Sequence, residues 1–189
     1  MDEKVDQMAA HKLMFALIQQ LNTIVLIQRD FIFKELNNPA RFLSIQPSPQ
    51  FDLKKSVLES SDLTFLLHTR ESRSIAYEFY VAQESYIAAL HQWNLRSNVH
   101  LEKVQPALAS AGINTGMLIS ESDLHNALGT FVHGSIISAT DNCISILRHA
   151  FQQLMQVKAK ARPYVVKRFR SNDFTDFDFQ NTYGLDDKK

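Results

Sequence analysis

Apolar residues recur every three or four positions over three long stretches of this chain, roughly residues 5–36, 62–111 and 121–161. Helix breakers are nearly absent from them. No glycine precedes Gly112, and no proline lies between Pro49 and Pro106 or between Pro106 and Pro163. Helical spacing without interruption predicts long helices packed side by side. The expected fold is therefore all-α, an elongated up-and-down bundle of four to five helices with an extended C-terminal tail, and with helical content above about 65%.

The first helix is predicted from about Val5 to Leu36, ended by Asn37-Asn38-Pro39, since Asn favours a C-terminal turn and proline cannot continue a helix. A connector over residues 38–51 carries three prolines, and its Phe42, Leu43 and Ile45 predict that it lies across the bundle. Residues 52–69 read as a shorter helical piece, with Ser60, Ser61 and Asp62 as N-cap candidates. His68 to Arg73 reads as a turn or as continuous helix surface. From Ser72 a second long helix places Phe79, Tyr86, Leu90, Trp93, Val104 and Leu108 on one stripe, and Pro106 is expected to kink or end it. The last long helix starts at Ser120 or Ser122, with Leu124, Leu128, Phe131, Ile146, Ala150, Leu154 and Val157 facing the core. Gly129 and Gly134 inside it each cost about 1 kcal/mol against alanine, which predicts close approach of another helix backbone there, with a ligand or a kink as the alternatives. The chain should leave the helix at Pro163. Residues 1–162 then form the bundle and residues 163–189 an aromatic and acidic tail, part of the same domain or an oligomer contact.

Charge narrows the functional classes. With 20 basic and 20 acidic side chains the formal net charge is zero, so the chain as a whole lacks the basic surplus of a nucleic-acid binder. The single cysteine, Cys143, excludes an internal disulfide and points to a reducing, cytoplasmic setting. The opening MDEKVDQ is acidic where a secretory signal needs positive charge. Leu13 to Gln28 carries no charge, but Gln19, Gln20, Asn22 and Thr23 break a run already shorter than the ~20 residues of a membrane span. It is expected to lie inside the bundle, and a membrane is not an expected partner.

Few groupings offer chemistry. Metal sites in helical bundles favour Glu-x-x-His on facing helices, and that motif does not occur among the seven histidines. His125 and His133 fall about 80° apart on a continuous helix, too far for a ligand pair. Neither a metal nor a cofactor is expected. Asp141, Ser145 and His149 have the residue types of a hydrolase triad, but a straight helix spreads them by about 6 Å per step. Arg96 and His100, in the run RSNVH, share a helix face, where a guanidinium can hold phosphate and an imidazole can move a proton. This pair resembles the active-site motif of the HEPN ribonucleases, small all-helical proteins with an arginine and a histidine on one helix. The three residues between them here are fewer than that motif has. The resemblance implies an alternative activity, RNA cleavage with Arg96 and His100 as the catalytic pair.

Residues 158–170, KAKARPYVVKRFR, hold six cations and no carboxylate: Lys158, Lys160, Arg162, Lys167, Arg168 and Arg170. They are candidate contacts for a partner or for an anion such as a nucleic-acid backbone. The tail then interleaves aspartates with Phe174, Phe177, Phe179 and Tyr183. Large rings are costly to leave in water, so they are expected to anchor the tail in apolar grooves, on a second copy of the chain. The function these features favour is a non-enzymatic interaction or regulatory module that forms homo-oligomers. The alternatives are the ribonuclease and a helical protein that lies on a membrane surface.

Overall fold

The structure, a computed structural model, describes residues 3–114, 117 and 119–179. Helix accounts for 78% of these, and no strand occurs among them. Five α-helices follow in order: α1 (Glu3–Ile27), α2 (Arg41–Ser44), α3 (Arg70–Val99), α4 (Gln105–Ser110) and α5 (Glu121–Phe169). The all-α elongated bundle is the observed fold.

Three long helices carry the core. α1 and α3 point the same way, since Gln20 meets Gln83 and Phe31 meets Trp93. α5 runs against both, pairing Lys160 with Glu78, Thr140 with Arg96, and Arg168 with Asp6. The stroke between α1 and α3 is made by the connector, which returns along the bundle in extended form and ends in a 3-10 turn at Ser60–Leu66. That turn replaces the longer helical piece expected over residues 52–69.

Two side-chain amides of α3 hold the connector in place of a helix. Gln83 accepts from the Leu58 N–H at 2.7 Å and donates to the Leu58 carbonyl at 2.9 Å. Asn94 does the same for Phe51, both at 2.9 Å. Each amide pairs with both the N–H and the C=O of one residue, groups that an extended segment part-buried against a helix would otherwise leave unmet. Farther along, the Trp93 indole N–H donates to Ser48 Oγ at 2.6 Å.

Helix boundaries follow their side chains. Thr69 and Ser72 cap each other's backbone N–H at the start of α3, a reciprocal box that fixes the entry of the chain. α1 continues through a π turn (Gln28–Ile32) and a 3-10 turn to Glu35. A second π turn (His100–Val104) lets the Gln105 N–H reach the His100 carbonyl. This slip places Pro106 in the first turn of α4, where a missing N–H costs nothing.

α5 departs from expectation in three places. The helix does not end at Pro163 but continues to Phe169, where Arg170 turns left-handed (φ 51°). Pro163 lies on the exposed side, while Leu154, Val157, Ala161 and Val165 carry the buried stripe past it. Gly129 is no helix contact. Its φ of 69° and ψ of 157° break the helix, a conformation open to glycine and little else, and a Cβ there or at Gly134 would meet nothing within 4 Å. The break rotates the two segments, so Phe131 points outward at 84% exposure instead of joining the stripe. Beyond it Ile136, Thr140, Cys143, Leu147, Ala150, Leu154 and Val157 are buried at alternating four- and three-residue steps, the seam of a helix packed along its whole length.

Candidate functional site

Arg96 and His100 are brought together by α3 and its π turn, but into the core. Arg96 is fully buried and His100 is 4% exposed. Arg96 Nη2 donates to the carbonyls of Phe42, at 3.1 Å, and Ile45, and its guanidinium lies 5.9 Å from the Trp93 ring centre. It thus ties down the C-terminal carbonyls of α2. No carboxylate is among its hydrogen-bond partners. Burial lowers its pKa to about 10, with the nearby Cys143 working in the other direction, so it stays charged at neutral pH. The His100 Nε2–H donates to the Leu43 carbonyl at 3.2 Å. Burial first, and the Arg96 charge second, lower its pKa against the pull of that carbonyl. A ribonuclease needs both side chains in a shared open cleft. Here the arginine holds backbone and the histidine is a sealed neutral donor, so the geometry removes the RNA-cleaving reading. Cys143 is likewise inert: burial pushes its thiol up to about 12, only partly offset by Arg96.

The basic stretch is mostly consumed within the chain. Lys158 and Arg162 lie 2.6 and 2.7 Å from the two carboxylate oxygens of Asp176, the arginine in charge contact without hydrogen-bond alignment. Lys160 pairs with Glu78. Arg168 bonds Asp6 at 2.6 Å, the Phe65 carbonyl and the Tyr164 hydroxyl, which joins the start of α1 and the end of α5 to the 3-10 turn. Lys167 and Arg170 alone have no carboxylate partner among the described residues. Two cations are a small footprint for a phosphate backbone, and the other four of the six candidate contacts are paired within the chain.

Residues 171–179 of the tail dock on their own chain. Phe174 is 3% exposed and stacks on His11 at 4.5 Å, beside Phe169. Phe179 is buried, with Phe177 edge-on to it at 4.8 Å and only part covered. Tyr183 lies outside the described residues. Arg170 turns the chain back at once, which brings Phe174 and Phe179 against the chain's own helices.

Two shallow grooves remain. One, between α2 and α5, contains Arg41, Asp141, Ser145, Arg148 and His149. Arg41 binds Asp141 at 2.8 Å, so the aspartate orients no histidine and the three residues form no triad. The other lies between the start of α3 and Pro163. Leu13 to Ile27 lies mostly in the core, with Phe15 exposed. The helical segment Glu3–Glu35 is long and apolar enough to cross a membrane, and 56% of its apolar window is buried within the fold.

What sequence reasoning missed is the outer face of α3. Tyr77, Val81, Glu84, Ala88, His91 and Leu95 recur at alternating four- and three-residue steps and are all exposed, with Tyr80 beside them. Tyr77 is 72% and Leu95 44% exposed. The signal was present in the spacing, but the inner stripe of the same helix masked it. No protein-family model, no curated protein and no solved structure matches the chain.

Proposed function

We propose that the protein is a non-enzymatic helical interaction module that self-associates through the outer face of α3. The observation that supports this reading is the exposed stripe itself. It runs for about 27 Å at 1.5 Å per residue, carries the seam spacing of paired helices, and is apolar at Tyr77, Val81, Ala88 and Leu95. A second copy suits it because the stripe is self-complementary. Antiparallel pairing about Ala88 sets Val81 of one copy against Leu95 of the other and brings Glu84 within one position of His91, an isologous contact of the kind that closes a dimer.

Sedimentation equilibrium over a wide concentration range tests this. The wild type should dimerise. The double substitution Val81→Glu with Leu95→Glu places like charges across the pairing and should weaken association by about a hundredfold, with the helical circular dichroism unchanged because both positions face water. A wild type that stays monomeric, or a double variant of unchanged mass, overturns the proposal.

A further inference from the structure

The Gly129 break does more than redirect a helix. On an unbroken α5, His125 and His133 would sit about 12 Å apart along the axis and on different faces. With the break their rings meet edge-on at 5.4 Å between centres, and the two Nδ1 atoms are 3.3 Å apart. His125 is exposed and His133 half-buried. The other nitrogen of His125, Nε2, lies 3.1 Å from the Thr130 hydroxyl. The hydroxyl can accept from Nε2–H, the tautomer that leaves a lone pair on Nδ1 and the outer-shell support that metal-bound histidines use. The Phe42 ring stands edge-on to His133 at 5.4 Å and limits its rotation.

We propose that His125 and His133 form a divalent metal site through their Nδ1 atoms, with zinc as the best-fitting ion. Tetrahedral zinc binds imidazole nitrogen at about 2.0–2.1 Å, which sets adjacent ligand nitrogens about 3.3 Å apart. The observed separation has that value. No third histidine, cysteine, aspartate or glutamate joins the pair among the described residues. With two protein ligands, one fewer than the three of open zinc sites, two coordination positions belong to water or to an external ligand. Occupancy would lock the angle at Gly129 and hold the first two turns of α5, with Leu124 and Leu128, against Phe42 and Val104.

The test uses the full chain, stripped of metal and titrated with zinc chloride alone by calorimetry. One zinc per chain should bind and raise the melting temperature. His125→Ala and His133→Ala should each weaken binding by at least about tenfold, while His68→Ala, exposed just before α3 at the opposite end of the bundle, leaves it unchanged. Because His125 is exposed, His125→Ala should melt like the wild type without zinc, so its loss of binding cannot be ascribed to unfolding. Gly129→Ala, which favours a continuous helix, should abolish uptake. No binding by the wild type, or binding that survives both histidine substitutions, overturns the site.

Discussion

The two ends of this bundle are built from the same α5 and differ in how much is laid against it. At one end α1, α3 and α5 are joined by the 3-10 turn and the tail, and Phe65, Phe79, Val165, Phe174 and Phe179 are all buried together. At the other, α1 has already stopped and α5 bends at Gly129. Phe42, Val104, Leu124, Leu128 and Ile136 make up the buried apolar set there among the described residues. Between them lies a polar layer: Ser48, Arg96, Ser97, His100 and Thr140, all buried. A small apolar cluster separated from the main core by polar groups opens more readily than the core itself. The proposed metal pair lies at that weaker end, where binding energy has the most to stabilise.

The largest effect should come from the layer itself. Arg96→Ala leaves the Phe42 and Ile45 carbonyls buried without a donor and opens a cavity beside Trp93. The two costs together should lower unfolding free energy by about 3–5 kcal/mol. Arg96→Met keeps the stem and should lose about 2 kcal/mol. Urea denaturation measures both. If alanine and methionine cost the same small amount, the carbonyl contacts are not what joins the two clusters.

Next is a paired truncation, one at each end. Phe174→Ala removes a buried ring stacked on His11 and should cost about 3 kcal/mol, lowering the global melting temperature. Phe42→Ala should instead raise hydrogen exchange locally, in α2 and the first turns of α5, with most of the α3 and α5 core protected as before. Equal global losses from both would mean that the bundle unfolds as one unit and that the polar layer divides nothing.

The distinction between legible and illegible features follows the same lines. The apolar stripe of α5 was readable through Pro163, because Leu154, Val157, Ala161 and Val165 keep their spacing across it. A rule about proline outweighed that pattern at a position that proved to face water. The shared face of Arg96 and His100 was also readable, four residues apart. Which face it was could be inferred from Trp93 and Val104, which lie on the same buried stripe. The amide clamps of Gln83 and Asn94 left no signal, since their partners are backbone groups in a connector without period. Gly129 announced that something unusual occurs, but φ is not written in a sequence. The meeting of His125 and His133 depends on that angle alone.

The smallest effect concerns the tail, and it is set by pH. Burial pushes the Asp176 carboxyl up, but the hydrogen bond and charge of Lys158, with the Arg162 charge, outweigh it and hold the pKa below its ordinary 3.8. A carboxylate with a lowered folded pKa contributes its stabilisation above the unfolded value and loses it as pH falls through the folded one. The contribution is thus whole at neutral pH and disappears progressively below about pH 3.8. Asp176 is partly exposed, so water screens the pairing and the gain is small, on the order of 1 kcal/mol or less. Asp176→Asn should therefore shift the melting temperature slightly at pH 7 and by less at pH 3, where the wild-type carboxylate is itself being protonated. Phe174 and Phe179 should stay buried in the variant, which proteolysis of the tail can report at pH 7. A tail released by this single neutral substitution would show that charge, and not the two rings, holds it to the helices.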